Sequence, residues 1–79
     1  MPLSVEEAFG QTLRELRKEK GLSQEELAYE SGLDRTFISL LERGKRQPSL
    51  GTIISIANTL SMEANQFILL VENVMKKCS

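Results

Sequence analysis

Residues 24–43 decide the fold, and they read QEELAYESGLDRTFISLLER. Two short apolar patterns of helical period flank Gly32 in this stretch. Helices that cross at nearly a right angle bring their backbones close together, and Ala28 supplies the small side chain needed there. The corner between them needs a residue that tolerates positive φ, which Gly32 supplies. The stretch therefore predicts two helices joined by a tight turn and locked from the inside by Leu27, Leu33, Ile38 and Leu41.

Apolar residues recur with a period near 3.6 along the whole chain and rarely alternate, so we predict five helices and no strand. Each of the first four helices begins at a cap residue, and two of these caps belong to a Ser-x-x-Glu capping box. The predicted caps are Ser4 (with Glu7), Ser23 (with Glu26), Asp34 and Ser49. The fourth helix is expected to bury a stripe that consists of Leu50, Ile53, Ile54, Ala57 and Leu60. Residues 1–79 are expected to form one compact all-α domain.

Length and composition exclude several classes of protein. Seventy-nine residues leave room for one small domain. The sequence has no histidine and one cysteine, Cys78, so no metal site is expected. The longest apolar run, Phe67 to Val71, is far shorter than the roughly 20 residues that cross a bilayer. Because Glu6 and Glu7 stand where a secretory signal would be basic, we expect a cytoplasmic protein without a membrane span.

The distribution of charge favours a nucleic-acid ligand more than the total charge does. The net charge of -1 is unfavourable for binding a polyanion. Between Asp34 and Ser49, however, four basic residues accompany two acidic ones, so this segment has a net charge of +2. The outward face of the third helix is free to enter a DNA major groove, which is about 12 Å wide. That face consists of Arg35, Thr36, Ser39, Leu40 and Arg43.

The last helix, at about residues 63–77, carries more apolar side chains than the core of so small a domain needs. Its apolar surface extends around much of the cylinder, and a second copy of the chain is the simplest partner that would bury it. The alternative is that these side chains only close the core of the monomer. The predicted dimer interface consists of Phe67, Ile68, Val71 and Met75.

Several short runs resemble the phage repressor and Cro-like (XRE-type) helix-turn-helix family. These runs are GLSQEELA at 21–28, SGL at 31–33, IS at 38–39, LERG at 41–44 and PSL at 48–50. The segment DRTFIS at 34–39 and the apolar last helix are most similar to controller proteins of restriction-modification systems and to small plasmid or phage repressors. The resemblance implies a five-helix lambda-repressor-like domain that binds duplex operator DNA as a homodimer, without a cofactor.

The same resemblance implies that a recognition helix, at about 35–43, lies in the major groove. Arg35 is then expected to donate to guanine O6 and N7. The other implied base contacts are Thr36, Ser39 and Leu40. An acid on this helix would repel DNA, and the resemblance implies that Glu42 pairs instead with Arg17 in a structural ion pair.

Further side chains are implied to contact the DNA backbone. Gln24, at the start of the second helix, is expected to contact a phosphate or to brace the recognition helix. Phe37 either packs on the domain or lies against the DNA backbone and base edges. Phosphate contacts are also expected from Arg43, Lys45 and Arg46.

Other functions stay open at this point. A protein-interaction module of the same fold, such as an antitoxin-like protein or an adaptor, would use the last helix against a different protein. Glu25, Glu26 and Glu30 would contact RNA polymerase in an activator, or they form a solvated face. An enzyme is not expected, because the chain lacks histidine and a Gly-rich phosphate loop. No small-molecule ligand is expected.

Overall fold

The computed structural model describes residues 3–77, and within them the chain forms helices and no strand. This confirms the all-α prediction. Cys78 lies outside the described residues. The helices are α1 (Val5–Glu19), α2 (Gln24–Ser31), α3 (Arg35–Glu42), α4 (Leu50–Thr59) and α5 (Ala64–Lys77).

Both predicted capping boxes are confirmed. Ser4 Oγ accepts a hydrogen bond from the Glu7 backbone N–H at 3.0 Å, and the Glu7 carboxylate accepts one from the Ser4 N–H at 3.0 Å. Ser23 and Glu26 form the same reciprocal pair, with distances of 2.9 and 3.0 Å. Hydrogen bonds from Ser4 and Ser23 hold the pKa of Glu7 and of Glu26 below the ordinary value. Both helices therefore begin at residues that the sequence alone identifies.

The start of α3 differs from the prediction. Asp34 has the extended backbone of an N-cap residue, but its side chain makes no capping hydrogen bond. Ser49, by contrast, accepts a hydrogen bond from the Thr52 N–H at 3.1 Å and caps α4 as predicted. The prediction for Asp34 was therefore right about its position and wrong about its hydrogen bond.

Helix α1 packs against α3 and α5, α2 packs against α3 and α4, and α4 packs against α5, so that the core lies between the five helices. The rings of Phe9 and Phe67 meet near its centre, with centroids 5.1 Å apart. Gly10 allows α1 to approach α3 closely, because a Cβ at this position would lie 2.3 Å from the carbonyl oxygen of Leu41. The fully buried large side chains are Leu13, Leu27, Ile38, Leu41, Ile56, Leu60 and Phe67.

The predicted stripe of α4 is partly wrong. Leu50 is 72% exposed and Ile54 is 44% exposed, although both were expected in the core. Helical spacing places Ile56 and Ala57 on the inner face, whereas Ile54 lies at its edge. Leu50 is the first residue of the helix and projects beyond the part that packs.

The prediction for α5 needs a similar correction. Phe67 is fully buried and Val71 is 5% exposed within a single chain, so both pack in the core and present almost no surface to a partner. Met75 is half-buried and packs against the core. Ile68 is 37% exposed, and its neighbours Leu69 and Leu70, which were not in the predicted interface, are also exposed. The periodicity identified the apolar faces of α5 but not which of them packs inside the monomer.

None of the helices in residues 3–77 combines the length and the apolar character that crossing a bilayer requires.

Candidate nucleic-acid interface

The corner between α2 and α3 is fixed by backbone geometry. Gly32 has φ of 74° and ψ of 23°, the left-handed conformation expected for it. The next residue closes the turn, since the Leu33 N–H donates to the Ala28 carbonyl at 2.9 Å. A Cβ on Gly32 would meet nothing within 4 Å, so glycine is favoured here by conformation and not by lack of space.

A contact from α4 supports this corner. Ser55 Oγ donates a hydrogen bond to the Ser31 carbonyl at 2.8 Å, and Ser31 is the last residue of α2. The bond satisfies one of the carbonyls left without a partner at a helix end. No signal in the sequence identifies Ser55 for this role, because its partner is a backbone atom that lies 24 residues away along the chain.

The outward face of α3 carries the side chains predicted to contact bases. Arg35 and Thr36 are exposed at its amino end, and neither side chain has a hydrogen bond or ion pair within residues 3–77. Ser39 and Leu40 are half-buried one turn later. The inward face of the same helix is anchored by the buried side chains of Ile38 and Leu41. A rigid helix therefore presents two uncommitted polar side chains at its first turn.

A hydrogen-bonded network joins the first three helices beneath this face. Arg17 Nε donates to Glu42 Oε2 at 2.6 Å, and Arg17 Nη2 donates to Glu42 Oε1 at 3.0 Å. Gln24 Nε2 donates to the same Oε1 at 3.0 Å. Arg17 Nη1 also donates to the Leu22 carbonyl at 2.9 Å. The side chains of Arg17 and Glu42 are only 11% and 3% exposed. We call Arg17, Gln24 and Glu42 the brace.

The hydrogen bonds of the brace fix the side-chain positions of Glu42 and Gln24, two residues for which the sequence predicted a role. Glu42 points away from solvent, and its hydrogen bonds hold the pKa of Arg17 above the ordinary value, although burial opposes this. The amide nitrogen of Gln24 contacts Glu42, which is the bracing role left open by the sequence. An acid at the end of α3 is thus neutralised inside the domain.

Three basic residues follow the outward face of α3. Arg43 is exposed at the C-cap, and its Nε donates a long hydrogen bond of 3.4 Å to the Ser39 carbonyl. Lys45 lies near Glu7 of α1, and its charge contributes to the lowered pKa of that carboxyl. Arg46 has no ion pair or hydrogen bond through its side chain within residues 3–77.

The Arg46 guanidinium lies over the ring of Phe37, with 5.4 Å between Cζ and the ring centroid. Phe37 is half-buried and packs against the core, so the structure places it on the domain. The sequence did not indicate this pairing, because the two residues lie nine positions apart across a helix end. Gly10 was also missed, although a glycine inside a helix is a signal of close backbone approach.

Within residues 3–77, no group of three or more aspartate, glutamate, histidine or cysteine side chains is placed to hold an ion. The acidic side chains of the outer face of α2, Glu25 and Glu30, surround the 88% exposed Tyr29. The candidate site is the basic outward surface of α3 and of the loop after it, because exposed cations gather there.

Comparisons with known proteins agree with this geometry. The helix-turn-helix family HTH_3 matches residues 13–66. The control protein C.BamHI of Bacillus amyloliquefaciens is 43% identical over 61 residues, which are 76% of this chain and 75% of that protein. The controller protein C.AhdI of Aeromonas hydrophila has 50% identity and a TM-score of 0.76, covering 78% of this chain and 94% of its own. The controller protein C.Esp1396I, solved as a tetramer with its natural 35 base-pair operator, has 30% identity and a TM-score of 0.84, covering 94% and 97%.

Proposed function

Because this chain belongs to the HTH_3 helix-turn-helix family of transcription regulators, which are not enzymes, we propose that it binds a duplex DNA operator as a homodimer. The observation that carries this proposal is the outward surface of α3, whose first turn presents Arg35 and Thr36 without partners in residues 3–77. The DNA-bound tetramer of the similar controller protein supports DNA as the ligand. In this proposal, the whole five-helix chain acts as one DNA-binding domain. Its proposed location is the cytoplasm, where it would meet its operator.

The amino end of α3 enters the major groove in the proposed complex. Arg35 donates to guanine O6 and N7 through its forked guanidinium. Thr36 offers a hydroxyl to a base and a methyl group to thymine. Ser39 and Leu40 lie one turn further along and contact the edge of the half-site. A bidentate contact of this kind discriminates against a wrong base by about 1–3 kcal/mol.

Phosphate contacts flank the base contacts. Arg43 and Arg46 are exposed cations on either side of Gly44, and each neutralises a backbone phosphate on binding. Lys45, which is also exposed in the same loop, is proposed to contact a phosphate as well. The Gln24 side chain donates to Glu42, so its proposed phosphate contact is made through a backbone amide at the start of α2.

The homodimer forms through the apolar side chains that remain exposed after the monomer has folded. Ile68 and Leu69 are the main ones on α5, since Phe67 and Val71 belong to the core. A two-fold axis would place two copies of α3 about 34 Å apart, in successive major grooves of a symmetric operator. The two exposed apolar residues of α4, Leu50 and Ile54, offer a further surface for the partner.

For an activator, RNA polymerase would contact the outer face of α2. Glu26 is exposed but is held in the capping box with Ser23, which leaves Glu25, Tyr29 and Glu30 as the exposed side chains without such a role. The variant Glu25→Gln/Glu30→Gln tests this role in transcription reactions with an intact operator. A loss of transcription at unchanged DNA affinity supports the contact, and unchanged transcription identifies a solvated face.

Selection of bound sequences from a random duplex pool tests the main proposal. A palindromic consensus, with half-sites one helical turn apart, is the expected result, and sedimentation of the free protein should give a dimer. Binding should weaken steeply as salt rises. A monomer that selects no sequence would overturn the proposal and favour an antitoxin-like or adaptor module.

A further inference from the structure

A contact between the Phe37 ring and the Arg46 guanidinium links the recognition helix to the loop that follows it. Phe37 belongs to α3 and packs against the core, so its ring position is set by the fold. Arg46 lies in the loop between α3 and α4, with its guanidinium 5.4 Å from the ring centroid. No carboxylate within residues 3–77 pairs with Arg46.

This contact leaves the hydrogen-bonding groups of arginine available, since the Arg46 side chain makes no hydrogen bond within residues 3–77. The attraction between a cation and the face of a ring acts through the charge, and it does not use the five N–H donors of a guanidinium. An exposed arginine otherwise samples many rotamers, and fixing one of them on binding costs conformational entropy. Phe37 therefore restricts Arg46 before any ligand arrives, while its donors stay free.

We propose that Phe37 is a positioning residue for Arg46, which it holds so that the guanidinium donates to a DNA phosphate beside the half-site. The inference rests on the proposed function and adds a role for residue 37 that does not require a contact with DNA. Phosphate contacts set the register of a protein on the duplex. The contact with Phe37 fixes the position of Arg46 relative to α3. The phosphate contact and the base contacts would therefore keep a constant spacing, since the ring belongs to the helix proposed to contact the bases.

A double-mutant cycle on the selected operator tests the coupling. We expect Arg46→Ala to weaken binding about tenfold, and Phe37→Leu to weaken it about threefold. The double variant should bind about tenfold more weakly than the wild type, because the ring has no role once Arg46 is gone. Phe37→Tyr keeps the ring and should retain the wild-type affinity. Binding is measured by fluorescence anisotropy at one fixed salt concentration, with thermal melts to verify that each variant is folded.

Two further measurements separate positioning from a general effect on structure. The cycle of Phe37→Leu with Arg43→Ala serves as the matched control, and its effects should multiply. The upfield ring-current shift of the Arg46 Hδ protons should vanish in Phe37→Leu, without DNA present. A double variant that binds about thirtyfold more weakly, as independent effects require, would overturn the inference while leaving operator binding intact. Failure of the wild type to bind any selected duplex would instead overturn the proposed function.

Discussion

Arg17 on α1 holds Glu42 on α3 through two hydrogen bonds of 2.6 and 3.0 Å, with the carboxylate almost fully buried. Glu42 is the last residue of α3, where the helix dipole disfavours an anion. Arg17 compensates for that position and removes a negative charge from the side of the helix that would meet DNA. The pair thus serves both the packing of α3 and the electrostatics of the proposed interface.

Breaking one side of this pair should be more harmful than replacing both. Arg17→Met leaves a buried carboxylate unmatched, and we expect a loss of about 3 kcal/mol in the free energy of unfolding. The double variant Arg17→Met/Glu42→Leu should recover much of that loss, because no buried charge remains. Urea denaturation of the three proteins provides the measurement. If the double variant is as unstable as Arg17→Met or more so, the electrostatic account of the brace is wrong.

Arg35 and Lys45 should affect DNA binding in different ways. Arg35→Ala should remove about 1–3 kcal/mol of discrimination between the operator and its single-base variants. Lys45→Ala should weaken binding to all sequences alike and reduce the salt slope by no more than about 1. Competition binding with a panel of duplexes separates the two effects. Unchanged sequence preference in Arg35→Ala would show that another residue contacts the bases.

The oligomeric state should depend on Leu69, the most exposed apolar side chain of α5. Leu69 is 55% exposed, so Leu69→Glu should leave the monomer folded and abolish dimerisation. Gln11→Glu adds the same charge at an exposed position of α1, away from this face of α5, and should leave the dimer intact. Sedimentation velocity distinguishes them. If Leu69→Glu still forms a dimer, the proposed interface on α5 is wrong, and Leu50 and Ile54 of α4 are the next residues to test.

Substitution of the core residue Phe67 should lower the stability of the monomer. It is fully buried and stacks on Phe9, so Phe67→Ala should cost about 3–5 kcal/mol of stability. The loss should be the same at low and high protein concentration if it arises within the monomer. If the loss of stability disappears as protein concentration rises, Phe67 contributes to dimerisation and its assignment to the monomer core alone is wrong.

Stability should fall on acidification through the capping boxes. Because the folded protein holds the pKa of Glu7 and Glu26 below 4.5, their contribution is complete above that pH and is lost as pH falls through the lowered values. Glu7→Gln/Glu26→Gln removes both titrating groups, so its stability should vary less with pH in this acidic range. Thermal melts from pH 6 to pH 2.5 test the difference. Parallel curves for the two proteins would contradict the assignment.

The helix capping and the position of the turn could be predicted because they depend on nearby residues. Ser4 with Glu7 and the backbone of Gly32 both act within a few positions along the chain. What the sequence could not give were the contacts between distant segments, such as Gly10 against Leu41. Periodicity identified Phe67 and Ile68 as apolar, but only the packing of α5 on α1 separates the buried one from the exposed one.

The side chains that position α3 and those proposed to contact bases form two separate sets. Ile38, Leu41 and the brace hold the helix, whereas Arg35 and Thr36 have no partner within residues 3–77. Changes at the second set therefore cost the fold little, since surface substitutions of this kind usually shift stability by less than about 0.5 kcal/mol. In the proposed complex, exchanges at Arg35 and Thr36 would therefore alter the sequence preference at little cost in stability, whereas a substitution that shifts α3 would have to be compensated in the core.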